Sequence, residues 1–474
     1  MSAALVYRER DYFTSRPRLP RTFSQEPRDY WYFILTETED RLGYVHFAST
    51  PDIRDGTPGE QLFLVVRATL PVFGFSAKVL LTGNAWVSFD GKESSWDAVL
   101  RSAEQEFAIK GTVKDGRLEA VVQSGGQATP LSFGLPEGAF PWGGIFGEIP
   151  DIGDAAIGTV ISVPAVDPIT FKSTSARLTI EGKETMRVGS EAIPVTRLRL
   201  ELQNMALGVL WVNEALEIVR LETPFGFVLM RSTAQEAMQQ ENDTQPAALF
   251  LQRHTVGWTG EKPSRGAKRM VCRLEGIGEA EVAQEGGMQK VNEGKLFIEV
   301  PEHPCVTPAS SAGVSQEYLQ GDVFITVGHP EIVATAKSII GDTSDLWEKT
   351  ARITEWLYNT LEKTAVVNVP TALEVLRTRQ GDCNEHSVLF AALARSVGVP
   401  TRVAVGLVWS DELERFAFHA WPEVHCGEWV AVDPTLGQKQ ADATHIRLFT
   451  GSVETWGKVL LYLNRISVTV LSVE

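Results

Sequence analysis

Seven consecutive residues, Val388-Leu389-Phe390-Ala391-Ala392-Leu393-Ala394, carry no polar side chain. The run is rich in helix formers and is closed by Gly398 and Pro400, which are helix-stop residues. A helix that is apolar on every side must be covered on every side, so this one is expected to be buried. Gly381-Asp382-Cys383-Asn384-Glu385-His386-Ser387 leads into it. Asp382 is a good N-cap type. Cys383 then falls in the first turn, where unpaired N–H groups and the helix dipole favour negative charge and are expected to lower a thiol pKa.

A chain of 474 residues is too long for one ordinary core, and two or three domains are expected. The net charge of −16 argues against nucleic acid as a partner, because phosphate binding needs a basic face. No run is long and uncharged enough to span a bilayer, and the first ten residues lack the apolar core of a signal peptide. As written, the chain is expected to be soluble and cytoplasmic, or exported if a leader is missing. Four cysteines do not make a disulfide scaffold. Cys272 and Cys305 flank one strand-like segment and either pair or are separate buried thiols. Cys426 reads as a core or turn residue.

Residues 1–28 are rich in Arg and Pro and read as an arm. From 29 to 235 the texture is short alternating runs between turns, with Asp90-Gly91 and Asp115-Gly116 as hairpin signals. Val195-Thr196-Arg197-Leu198-Arg199-Leu200-Glu201-Leu202 alternates, so one face is polar or charged and the other largely apolar. The stretch from Leu131 to about Asp154 reads as a long connection. This region is predicted to be an antiparallel meander, in the form of a curved sheet or half-barrel. A linker follows over 236–250, with one helix allowed in this stretch, and then a small β-rich segment over 251–328. In 329–474 helices come first: one opens at Pro330, one covers 344–357, and one is capped by Thr371 with Glu374 three residues on. The cysteine helix follows, and then strands at 402–409, around His419, around Asp433 and at 466–471. Helices followed by antiparallel strands make this an α+β layout.

A thiol nucleophile needs a base, and the base needs a group that fixes its tautomer. Cys383, His419 and Asp433 are the right types, on a helix start and two strands. Alternation along the His419 strand puts His419, Trp421 and Glu423 on one face, so the indole is placed to shield the imidazole. Asp433 faces away from the core valines Val430 and Val432.

These segments, Gly381-Asp382-Cys383, Gly398-Val399-Pro400-Thr401-Arg402-Val403, His419-Ala420-Trp421-Pro422-Glu423-Val424 and Trp429-Val430-Ala431-Val432-Asp433-Pro434-Thr435, together resemble the transglutaminase-like superfamily, relatives of papain-type cysteine proteases. The resemblance covers about 330–450. It implies a papain-like core with Cys383 as nucleophile, His419 as general base and acid, and Asp433 as the orienting carboxylate. The implied activity is acyl transfer through a thioester on protein or peptide amides, as protease, amidase or transglutaminase. The alternative is a catalytically inactive relative that binds or scaffolds. The Cys383 backbone N–H is one oxyanion donor by position, and Trp347, Trp356 and Asn359 are candidates for the second. No cofactor and no metal are expected. A zinc site of His425, Cys426, Cys383 and His386 can be drawn, but its ligand spacing is not the usual one. His386 reads as structural, Glu385 as a surface or supporting carboxylate and Glu423 as a salt-bridge partner. Asp411, Glu412 and Glu414 read as a solvated turn.

Overall fold

The structure is a computed structural model. It describes residues 26–134, 155–239, 255–302, 316–451 and 465–474, apart from short gaps within them, together with Ile152, Val459 and Tyr462. Most of the arm, the connection from 135, most of the linker and Cys305 lie outside the described residues.

The first eight strands are β1 (Arg28–Thr36), β2 (Arg41–Arg54), β3 (Thr57–Val72), β4 (Phe75–Ser88), β5 (Ser94–Ser102), β6 (Gln105–Lys114), β7 (Arg117–Ser124) and β8 (Gln127–Gly134). Six more follow: β9 (Val160–Val166), β10 (Ser173–Val188), β11 (Glu191–Leu202), β12 (Met205–Val212), β13 (Ile218–Glu222) and β14 (Phe227–Ser232). All fourteen form one antiparallel sheet in the order β8-β7-β6-β5-β4-β3-β2-β1-β14-β13-β12-β11-β10-β9. The chain therefore starts at the middle, runs out to β8, and returns from the opposite edge to close on β1. β8 continues to Gly134, where a connection was expected from Leu131, and β9 carried no clear alternation in sequence.

Turn chemistry sets the registers. Asp115-Gly116 joins β6 to β7 with both residues at positive φ, 52° and 71°, as a two-residue hairpin turn requires. Asp55-Gly56 does the same between β2 and β3, at 48° and 82°. Asp90-Gly91 sits in a longer loop, where the Asp90 carboxylate accepts from the Ser88 hydroxyl and the Lys92 N–H. At Gly111 a Cβ would lie 2.5 Å from the Trp96 indole that crosses it, so only glycine fits there. Across β10 and β11, Leu178 faces Leu200 and Ile180 faces Leu198 on the buried side, while Arg177 faces Glu201 on the other. This is the alternation expected of a sheet with one apolar face. After β14 a short helix, α1 (Ala234–Met238), starts on a Thr233–Glu236 capping box.

The rest of the described chain is woven together. β15 (Thr255–Val256), β16 (Trp258–Gly260), β17 (Arg269–Glu275), β18 (Gln289–Asn292) and β19 (Lys295–Glu299) come first, with α2 (Glu279–Val282) between β17 and β18. Then come α3 (Pro330–Ile340), α4 (Leu346–Thr360), β20 (Glu362–Lys363), α5 (Ala372–Thr378), β21 (Gln380–Gly381) and α6 (Cys383–Ser396). β22 (Thr401–Ser410), β23 (Arg415–His425), β24 (Trp429–Ala431), β25 (Ile446–Gly451) and β26 (Ser467–Val473) complete it. One sheet runs β15-β23-β22-β25, with β24 on β23. A second runs β16-β26-β17-β19-β18, so the last strand crosses back into the segment before α3. One core joins both, with Met270, Cys272 and Ile298 packed in the same cluster as Leu407, Trp409 and Ile446.

α6 is the central helix. Every residue from Val388 to Ala394 is buried, between α3, α4 and α5 on one side and β22–β23 on the other. Asp345 caps α4 and Thr371 caps α5, each accepting the N–H of the residue three further on. Gly398 takes φ +80° just beyond α6.

Candidate functional site

The site begins at the entry to α6. The Asp382 carboxylate accepts the Asn384 N–H at 2.8 Å, and Glu385 Oε2 accepts the Asp382 N–H at 2.7 Å, a complete capping box. A Cβ on residue 381 would lie 2.2 Å from that of Glu385, so Gly381 is what lets Glu385 fold back. Glu385 is therefore buried, not a surface carboxylate as one reading allowed. Burial, with the Asp382 charge beside it, pushes the Glu385 carboxyl well above its ordinary range, and we assign the proton of this pair to Glu385.

Cys383 is the first residue of α6 and is buried. Its sulfur accepts the backbone N–H of Ala420, which places it against the strand residue next to His419. The helix start was expected to lower its pKa. Burial, with the charge of Asp382 adding to it, instead pushes the thiol well above its ordinary value, and the Ala420 N–H only partly offsets this.

β23 carries His419, and the chain beyond β24 carries Asp433, anchored by a two-way backbone bridge to Gln438. His419 Nε2 donates to Asp433 Oδ2 at 2.8 Å, which leaves Nδ1 as its other nitrogen. Asp433 Oδ1 accepts the N–H groups of Thr435 and Leu436. Burial would raise this carboxyl, but the charge and hydrogen bond of His419, with His445 behind them, hold it far below the carboxylate range. Trp421 stacks on His419 with centroids 6.1 Å apart, on the shared face that alternation gave. Gly406 opposite leaves room for that indole, since a Cβ there would meet it at 2.9 Å.

A second histidine, His445, also reaches Asp433 Oδ2, at 3.1 Å, and its other nitrogen faces Asp442. Sequence reasoning missed both residues. The one signal was Asp442-Ala443-Thr444-His445, an Asx-type turn at the foot of β25. The nearest atoms of His419, Asp433 and His445 lie within 4.8 Å of one another, a set that could hold a metal ion. Both histidines, however, point an Nε2 at the same carboxylate oxygen in hydrogen-bond geometry, and we read the set as a hydrogen-bonded chain.

The drawn zinc site is not formed. Cys426 is a core residue, as expected, and is disulfide-bonded, and the His425 ring packs on Trp429. Cys272 is free, so it does not pair with Cys305, and it sits in the apolar core instead. His386 donates from Nδ1 to the Asp382 carbonyl at 2.7 Å, and burial lowers its pKa to about 4. Glu423 does pair with arginines, Arg402 and Arg447, but in the interior. Trp347 and Trp356 pack against the helical core and Asn359 is exposed. Among the described residues, Asp382 Oδ2, His386 Nε2, Trp421 Nε1 and Thr435 Oγ1 are buried without a hydrogen-bond partner.

Residues 333–434 match the transglutaminase-like superfamily, so this part of the chain is a transglutaminase-like core domain. Solved structures that resemble the chain include a candidate cysteine protease from Cytophaga hutchinsonii, 12% identical over 44% of this chain and 85% of that one, TM-score 0.30. A β-barrel-like protein of a domain of unknown function from Brucella abortus is 11% identical over 44% and 98%, TM-score 0.31. A candidate protease from Parabacteroides distasonis is 10% identical over 75% and 70%, TM-score 0.21. These likenesses are too slight to carry an argument. No curated protein matches. Among the described residues no helix is long and apolar enough to cross a membrane.

Proposed function

We propose that this chain is a thiol-dependent acyl-transfer enzyme acting on protein or peptide amides. The observation that carries the reading is the His419–Asp433 bond beside a thiol held by the next residue of the same strand. His419 Nδ1 takes the Cys383 proton as sulfur attacks the amide carbonyl, and the Cys383 N–H at the start of α6 donates to the developing oxyanion. The C–N bond breaks, the proton passes to the leaving amine, and a thioester remains. Water then releases an acid, or a primary amine takes the acyl group and forms a new amide. Hydrolysis is the outcome we favour, since water needs no second binding site. The disulfide at Cys426 favours an oxidising compartment over the cytoplasm.

The test is mass spectrometry after incubation with a glutamine-containing protein and a labelled primary amine, beside Cys383→Ala. Label joined to glutamine by the wild type alone makes this a transamidase. Cleaved or deamidated substrate without label makes it a hydrolase. Undiminished turnover in Cys383→Ala ends the reading, and no turnover in either protein moves weight to a binding role.

A further inference from the structure

Two short strands lead up to the first turn of α6. β20 pairs with β21 in parallel, with Lys363 opposite Gly381, and the Thr364 N–H donates to the Gly381 carbonyl. Cys383 follows two residues later. Side chains alternate along a strand, so Glu362 and Lys363 leave β20 on opposite faces. Glu362 accepts from Gln380 Nε2 on one of them. Lys363 takes the other, where its Nζ stands 4.1 Å from the centroid of the Tyr358 ring on α4. That ring in turn lies against Gly437, where a Cβ would meet it at 2.9 Å. Gly437 belongs to the loop that carries Asp433, beside the Gln438 that bridges to Asp433 through its backbone. Lys363 is thus bracketed by the strand that leads into Cys383 and the loop that leads away from Asp433.

Lys363 is exposed, and among the described residues its ammonium pairs with no carboxylate. The cations around it are engaged. Glu355 binds Lys439 at 2.8 Å, and Arg379 lies over the Trp356 ring and donates to the Leu376 carbonyl. The chain carries a net charge of −16, and Asp382 and Asp433 bear on the Cys383 sulfur as negative neighbours. Such surroundings repel an anion unless a cation is supplied. Lys363 is near enough for its charge to disfavour the imidazolium of His386, one turn beyond Cys383.

We propose that Lys363 is a specificity-determining residue of this site, whose ammonium, held on the rim by Tyr358, receives a carboxylate that the substrate carries close to the scissile amide. The proposal rests on the acyl-transfer reading and narrows its substrates to peptides with an anionic group at that place. In a peptide the carboxylate is either an Asp or Glu side chain or the chain's own C-terminus. An ammonium on a flexible stem suits both, since it acts as a point charge. Exposure limits its strength. At about 4–8 Å in water, one unit charge acting on another changes a rate by about two- to fivefold, and salt screens the effect.

The test is alkylation of Cys383 in the full chain, read by mass spectrometry with Cys383→Ala as the blank. Iodoacetate is an anion and iodoacetamide its neutral match. The ratio of their rates reports charge beside the sulfur and cancels any change in thiol reactivity. Lys363→Gln is expected to lower that ratio by about two- to fivefold at low salt and by less at high salt, and Lys363→Arg to restore it. A ratio that Lys363→Gln leaves unchanged overturns the proposal. The enzyme reading stands in that case if His419→Ala still slows iodoacetamide. An iodoacetamide rate indifferent to His419→Ala overturns the enzyme reading, and the proposal with it, whatever the ratio. A sulfur that neither reagent modifies also overturns the proposal, since no carboxylate then comes near. Two further pairs separate the sources of the carboxylate: bromoacetyl-glycine against its amide, and the α-amide of bromoacetyl-glutamate against bromoacetyl-glutaminamide. A preference for the anion that depends on Lys363 assigns a C-terminal carboxylate if it lies in the first pair and an acidic side chain if it lies in the second. No such preference in either pair overturns the proposal.

Discussion

Across β10 and β11 of the large sheet, Arg177 meets Glu201 at 3.0 Å with 44% and 20% of the two side chains exposed. Between β22, β23 and β25, Arg402 and Arg447 converge on Glu423, with 8%, 2% and 4% exposed. The first pair lies on a face that water already solvates. The second set is inside the core, with Arg447 also donating to the Gly286 carbonyl and Arg402 lying over the Trp429 ring at 4.2 Å. The two regions also differ in connectivity. Within the large sheet every pairing except β1 with β14 joins consecutive strands. Around the site, Asp442 is held by Arg265 from 177 residues away and Gln289 by the backbone of Arg447. The difference teaches where charge carries weight in this chain. On the solvated face of β10 and β11 it decorates a fold made by local hairpins, and in the C-terminal region it fixes distant segments around the candidate site.

The sharpest way to break that comparison is to remove Glu423. Glu423→Gln leaves two enclosed guanidinium groups without a carboxylate and is expected to cost about 3–5 kcal/mol. Denaturant-dependent hydrogen exchange at the β22 and β23 amides would measure it, with protection in the large sheet as the internal control. A loss below about 1 kcal/mol would mean that this buried cluster is no more consequential than a surface pair.

The pH dependence of stability comes next. His445 has its folded pKa raised to about 9 from an ordinary 6.5. A raised pKa stabilises the fold fully below the unfolded value and loses that contribution as pH rises through the folded one. The C-terminal region should therefore weaken between about pH 6.5 and 9, by at most about 3 kcal/mol. Asp433 and Asp442 have depressed pKa values, so their contributions are lost only in acid, outside that window. Midpoints of unfolding of wild type and His445→Gln across this range decide it. Parallel slopes would remove the buried imidazolium from the argument.

What was legible in the sequence follows the same division. Asp-Gly turns and alternating runs pointed to the antiparallel sheet, because hairpin registers are written locally. Cys383, His419 and Asp433 stood out by type and order, and the structure bonds His419 to Asp433 and sets Cys383 beside them. His445, Asp442 and Arg265 did not stand out, since their meaning depends on which acceptors a loop and a distant turn bring within 3 Å. The thiol environment was misjudged for a related reason. The helix dipole is visible in sequence, whereas the burial of Cys383 and Glu385 is a tertiary fact. β26 was legible as a strand, but its place between β16 and β17 was not.

The smallest effect is expected on the sheet. Arg177→Ala removes a partner from Glu201 on the solvated face of β10 and β11, where neither group depends on the other for hydration. Exposed pairs of this kind contribute about 0–1 kcal/mol, and less as salt screens them. The backbone ladder of β10 on β11 and the facing leucines beneath it do not change. A double-mutant cycle with Glu201→Ala, read by hydrogen exchange at the β10 amides in low and high salt, isolates the pair. A coupling within that range that fades in high salt keeps the contrast with Glu423. A coupling of several kcal/mol that survives high salt would show that the face is not open to water, and would put the charges of the large sheet on the same footing as those around the site.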